Sequence, residues 1–374
     1  MKLIRRYILK EFAGPFALSL VVLTFVLLMG NIVKLAELVI NKGVNIIDVG
    51  KLLLFLIPYL LSYTLPMSIL TGLLLAMGRL SHDNEVTAIR ACGVSLSRIM
   101  YPILMVGLIF SLFGVNLNSE ILPHAHFASR QTLKEIGLKK PAAYLEPGTF
   151  IKTFQNYIIW IHSIRGNKLR HIRIYEPQEE DRPTRTIIAQ KGEFIPSPEG
   201  NSIVLKLVNG TSDEPNRKDP SAYYKLNFNT YYLTLDMSGE EDRSLLEKKP
   251  KDMTLSELRH ELGELKNGSG AEGADERRHM VTVYTTEVHQ KISLGFACLA
   301  VVFIGFPLGV VTRREERSIN FLVSLGVMAA YYVLLAMGKG LAQEEGLPPA
   351  LCMWFPNILL VTIGLVLTRK TVAQ

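Results

Sequence analysis

Six stretches of this 374-residue chain contain no Asp, Glu, Lys or Arg at all: residues 16–33, 52–77, 99–117, 292–311, 319–337 and 350–367. Proton- and sodium-coupled transporters place carboxylates or broken helices at the membrane midplane. The absence of acids from these runs argues against that class, though Asn116 and Asn320 leave a small remainder. Cysteine is scarce. Cys92, Cys298 and Cys352 lie far apart, which excludes a disulfide framework and a clustered metal site. No Gly-x-x-x-x-Gly-Lys-Ser/Thr phosphate loop occurs, so ATP is not bound in that manner. No Ser/His/Asp or Cys/His set can be assembled, so no catalytic residue and no cofactor is assigned. His124 and His126, read as an extended pair near Pro123, lack a third ligand, and no metal is expected. The first apolar run is too long for a signal peptide's core, and no small-residue cleavage site follows it.

What is present is membrane. A helix needs about 20 apolar residues to cross a bilayer, and each of the six runs qualifies. Pro58 and Pro66 predict a kink or steep tilt in the second, and Gly305 and Pro307 interrupt the fourth. An even number of spans puts both termini on one side. The face holding Lys2, Arg5, Arg6, Lys10, Arg79, Arg90, Arg98, Arg313, Arg314, Arg317, Arg369 and Lys370 has twelve basic residues against five acids. The opposite short loops have Lys34, Lys42, Lys51 and Lys339 against four acids. The positive-inside rule makes the first face cytoplasmic and the long central segment external. Between Ser119 and Lys291 there are 25 basic and 25 acidic residues, so the net charge of +7 belongs to the membrane flanks. That argues against a nucleic-acid face.

From about residue 144 to 236 the chain carries short β-branched and aromatic runs, such as Tyr157 to Ile164 and Ser202 to Val208. Gly166-Asn167, Gly192, Pro196 to Gly200 and Asn209-Gly210 separate them as turns. An antiparallel sandwich, jelly roll or open barrel is expected. Leu169, Ile172 and Ile174 break strict alternation once, which predicts a bulge. Thr254-Leu-Ser-Glu257 is a capping box opening a helical connector over about 254–265. The expected organisation is three spans in residues 1–118, an external region over 119–285, and three spans in 286–374.

The loop from Arg79 to Arg98 is the most informative stretch. Ser81 reads as an N-cap, Asp83, Asn84 and Glu85 as the first turn of a helix over about 81–92, and Gly93 as its C′ residue. Val86 and Ile89 share a face, with Glu85 and Arg90 nearby. A permease with no nucleotide site of its own needs such a helix to dock on an ATPase. A connector lying at the lipid headgroups is the bland reading.

This loop resembles the lipopolysaccharide export permease family, the F and G subunits of the Lpt transporter. So do the N-terminal Met1-Lys-Leu-Ile-Arg-Arg-Tyr-Ile-Leu-Lys-Glu-Phe12, the segment from Pro66 to Gly78, Phe306-Pro-Leu-Gly309 and Trp354-Phe-Pro-Asn357. The resemblance covers essentially the whole chain and is closer to F in Arg90-Ala-Cys-Gly-Val-Ser95. It implies an inner-membrane permease with a periplasmic β-jellyroll inserted between three spans and three. The implied partners are a second F/G-type permease, a cytoplasmic ATPase dimer, a bitopic periplasmic partner and a periplasmic bridge protein. Lipopolysaccharide is the implied cargo. Glu85, with Asp83, Asn84, Arg90 and Gly93, matches the family's ATPase-coupling helix, and Lys34 matches a basic residue implicated in holding anionic lipid. The competing reading is a membrane-anchored periplasmic assembly or receptor protein without transport activity.

Overall fold

The structure, a computed structural model, describes residues 2–40, 43–139, 147–154, 157–165, 168–176, 184–196, 202–215, 223–236, 248–267, 274–311, 317–344 and 347–373. In chain order the described elements are α1 (Lys2–Ile40), α2 (Ile46–His82), the short α3 (Glu85–Ala91) and α4 (Leu96–Asn116). A π-helical turn (Leu117–Ile121) joins α4 to α5 (Leu122–Lys139). Six strands follow: β1 (Phe150–Phe154), β2 (Tyr157–Arg165), β3 (Lys168–Glu176), β4 (Arg185–Pro196), β5 (Ser202–Pro215) and β6 (Tyr223–Asp236). A 3₁₀ turn (Pro250–Asp252) precedes α6 (Leu255–Asn267), α7 (Ala274–Val311), α8 (Arg317–Glu344) and α9 (Pro349–Ala373). Among the described residues, six helices are long and apolar enough to cross a membrane, within α1, α2, the α4–α5 run, α7, α8 and α9. Residues divide into two compact units, one of 1–30, 56–126 and 250–374 and the other of 31–55 and 127–249.

The first unit is a helical bundle with α7 as its axis. In the most apolar part of α7, 72% of residues are buried, against 11% in α1. Leu294, Ala297, Cys298, Val301 and Val302 of α7 pack on Ile69, Leu73 and Met77 of α2, Ile103 of α4 and Met328 of α8. Close approach depends on small residues. A Cβ on Gly295 would fall 2.5 Å from the Val115 side chain of α4. On α1, by contrast, Leu18, Val21, Phe25 and Val26 are exposed, a face that needs lipid or another subunit against it. The expected interruption at Gly305 and Pro307 does not occur. Helix α7 runs through both, and α2 runs through Pro58 and Pro66. In an apolar medium a helix that opens leaves backbone groups unsatisfied, so prolines are absorbed within it.

The second unit contains one six-stranded antiparallel sheet with the strands in sequence order, β1 to β6. Among the described residues its core is made of strand residues: Ile159, Ile161, Ile172, Ile174, Ile187, Phe194, Leu205, Leu207 and Leu235 are each 0 or 1% exposed. A flat sheet has no second layer to hide that many side chains, so this sheet folds over its own inner face.

The fold line is visible in the register. His162 lies opposite His171, His171 opposite Gln190, Gln190 opposite Asn209 and Asn209 opposite Asn229, by the pairs flanking each. At this rung every one of the five strands presents two consecutive residues outward. Leu169 and Ile172 are buried with Arg170 and His171 exposed between them. Ala189 and Gly192 are likewise buried around the exposed Gln190 and Lys191. His171 (φ 51°) and Asn209 (φ 55°) adopt the left-handed conformation that reverses the alternation. Where the inward side switches in this way, a strand bends. The break in alternation around Leu169 and Ile172 is therefore real, but registers continue across it with no inserted residue. Asn209-Gly210 and Gly192, read from sequence as turns, lie inside β5 and β4. They bend the chain at or beside the crease without reversing it.

Candidate functional site

At one end of the bundle, α2 runs on through Ser81, so the helix expected over about 81–92 is shorter than its sequence suggests. Ser81 is not its N-cap. The side chain is buried and its hydroxyl donates to the Val310 carbonyl, 2.7 Å away. The N-cap is Asn84, at φ 57° and without a side-chain cap bond, and the helix spans Glu85–Ala91. Its C-terminus closes as a Schellman motif. Gly93 N–H donates to Arg90 O (2.9 Å) and Val94 N–H to Ile89 O (3.3 Å), with Gly93 at φ 81° where a side chain is strained. Val86 is 4% exposed in the bundle core, and Ile89 packs partly against it. Glu85 accepts a hydrogen bond from the Tyr7 hydroxyl of α1 at 2.7 Å. Arg79 pairs with Glu11 and, at 3.6 Å, with Asp83. The inner face is thus anchored on α1 through Tyr7 and on the bundle core through Val86 and Ile89, while Asp83, Asn84, Thr87 and Ala88 remain exposed.

At the other end of the bundle, where the apolar runs give way to charged residues, the helices line a half-open polar cavity of about 290 Å³. Lys339 of α8 donates to Glu287 Oε2 (3.0 Å) and Gln290 Oε1 (2.6 Å) of α7. Their side chains are 24% and 10% exposed for Lys339 and Glu287. Lys291, 5% exposed, donates to the backbone carbonyls of Lys251 and Met253 at 3.2 and 2.9 Å. This ties the 3₁₀ turn and the Thr254/Glu257 capping box to α7. On the opposite wall Ser62 donates to Asn118 Oδ1 (2.6 Å), and Asn118 to Gly114 O (2.7 Å), inside the π-helical turn. Tyr59 and His126 meet edge to face, 5.6 Å between centroids. Charges of both signs line the walls, so the cavity suits water or polar ligand atoms and disfavours acyl chain.

Sequence reasoning missed Glu287, Lys291 and Lys339 because it stopped at the apolar runs. A signal was there. Glu287, Lys291, Leu294, Cys298 and Val301 are spaced 4, 3, 4 and 3, and all are buried, so the two charges continue the stripe that faces the core. His124 and His126 lie on α5, a helix and not an extended segment, and His124 bonds the Glu120 carbonyl. Among the described residues no group of three or more metal-ligating side chains occurs. Lys34 lies exposed on α1 with no ion pair among the described residues. It belongs to the other compact unit. Arg313 and Arg314 fall outside the described residues.

Residues 6–370 match the family model described as lipopolysaccharide export system permease LptF/LptG. An uncharacterized protein of Rickettsia prowazekii is 24% identical over 379 residues, covering 98% of each chain. The lipopolysaccharide export system permease protein LptF of Escherichia coli K12 is 22% identical over 375 residues, covering 98% of this chain and 94% of that one. The LptF protein of Shigella flexneri gives the same figures.

Proposed function

Because the chain belongs to the lipopolysaccharide export system permease LptF/LptG family, we propose that it moves lipopolysaccharide out of the inner membrane as one of two paired permease subunits. The observation that carries this reading is the match over residues 6–370, which takes in all six candidate spans and the sheet together. It is a multi-pass inner-membrane protein of a transporter family, and hydrolysis of ATP occurs on a separate cytoplasmic subunit.

In this reading Glu85–Ala91 seats in a groove of the ATPase, with Asp83, Asn84, Glu85, Arg90 and Gly93 shaping the contact. Anchoring through Val86, Ser81 and Tyr7 supports it, since hydrolysis moves the bundle only through a helix that is rigidly joined to it. Both termini and this helix are cytoplasmic, and residues 119–285 are periplasmic. The creased sheet acts as a jellyroll-like trough for acyl chains, because each CH₂ kept from water is worth about 0.8 kcal/mol. Glycolipid leaves the trough for a bitopic partner and a bridge protein. Lys34 attracts the phosphates of the entering lipid. A cation beside hydrocarbon is screened less than one in open water.

Purification of the native complex in mild detergent tests the whole. An ATPase, a second permease and bound glycolipid are expected to co-purify in fixed proportion. Recovery of the chain without any ATPase would instead favour a membrane-anchored assembly protein.

A further inference from the structure

We propose that the outer face of the sheet, along its crease, is a binding site for a phosphorylated sugar. This rests on the permease reading, which makes an anionic saccharide part of the cargo.

Three adjoining rungs build the site. Trp160 lies opposite Arg173, and Arg173 opposite Ile188. Next come His162, His171 and Gln190, and then Ser163, Arg170 and Lys191. A pocket of about 340 Å³ opens among the first two rungs, at the small end of the range for ligand sites. The Arg173 guanidinium stands 5.4 Å from the Trp160 ring centroid. The His162 ring is 5.9 Å from Trp160 and meets His171 edge to face at 5.7 Å. Aromatic rings receive the apolar face of a pyranose, while guanidinium, imidazole and amide groups bond its hydroxyls and phosphates.

The charge arrangement identifies the ligand as an anion. Arg170 and Lys191 are directly opposite each other, both exposed, and neither has an ion-pair partner among the described residues. Like charges facing across a ladder destabilise a sheet. Glu193, the acid two residues along β4, is in register with Lys168 instead. His171 adds backbone strain at the same rung. Repulsion and strain gathered beside an aromatic pocket are relieved when a phosphate sits between the two cations.

The test uses the full-length chain purified by itself in mild detergent. In a Trp354→Phe background Trp160 is the sole tryptophan, and its fluorescence reports binding. The probes are the deacylated, phosphorylated saccharide of lipopolysaccharide, the same saccharide after phosphatase treatment, and inorganic phosphate. Saturable quenching by the phosphorylated saccharide is expected, with Kd raised at least tenfold in Arg170→Gln/Lys191→Gln. The same double variant should unfold at a higher temperature without ligand, because it removes repulsion, and that result separates lost binding from damaged folding. Equal binding of the phosphatase-treated saccharide, unchanged Kd in the variant, or displacement by equimolar inorganic phosphate would overturn the assignment. If intact glycolipid co-purifies while the saccharide does not bind, only this site fails. If no glycolipid associates at all, the permease reading fails with it.

Discussion

The Glu287–Lys339 pair shows what a charge costs among apolar helices. Lys339 reaches back from α8 to a carboxylate that is nearly enclosed. Removing one partner leaves the other buried without compensation, a loss of about 3 kcal/mol for such pairs, whereas removing both is far milder. Lys339→Met should therefore lower the unfolding temperature in detergent more than Glu287→Gln/Lys339→Met does. Equal stability of the single and double variants would mean the pair is solvated. Lys34 makes a different prediction, because it is exposed. Lys34→Asp should retain less co-purifying glycolipid than Lys34→Arg, since arginine keeps the charge. If Lys34→Asp loses no lipid, the lysine only extends its ammonium to the interface.

Among the elements, α3 is short enough to depend on its ends. With seven residues it has little helical stability of its own, so the Schellman closure at Gly93 and the Tyr7–Glu85 bond hold it in shape. Gly93→Ala puts a side chain at φ 81°, costing about 1 kcal/mol. Glu85→Lys both loses the tyrosine bond and reverses the charge offered to a partner. Either should lower glycolipid-stimulated ATP hydrolysis in the reconstituted complex, with Glu85→Lys the more severe. Native rates in both would reduce α3 to a connector. The crease has a matching test at Asn209. Asn209→Gly suits the left-handed backbone, but a β-branched residue does not. Hydrogen exchange in β4 and β5 should stay slow in Asn209→Gly and accelerate in Asn209→Val.

At the scale of the whole molecule, topology is the first thing to measure. Cys92 is exposed at the end of α3, and Cys298 is buried. With α3 in the cytoplasm, Cys92 should escape an impermeant thiol reagent in intact spheroplasts and react in inverted vesicles. A cysteine at the exposed Thr234 of β6 should do the reverse. Labelling of Cys92 from outside would overturn the orientation drawn from twelve basic residues against four.

The sequence by itself determined the six apolar helices, the β-rich middle, a short helix near Glu85 and the family. Each of these is written in local periodicity or in short motifs. Only the tertiary structure decided the rest. Glu287 and Lys339 are 52 residues apart, and whether two helices turn their charges toward each other depends on their relative rotation, which no single helix encodes. Ser81 has the chemistry of an N-cap, but packing against Val310 carried α2 past it. Within the sheet, alternation in β3 shows one irregularity. Five strands must be laid in register before His162, His171, Gln190, Asn209 and Asn229 form a single line. Local patterns specify which residues are inward or outward along one element. Neighbours across elements exist only once the chain has closed.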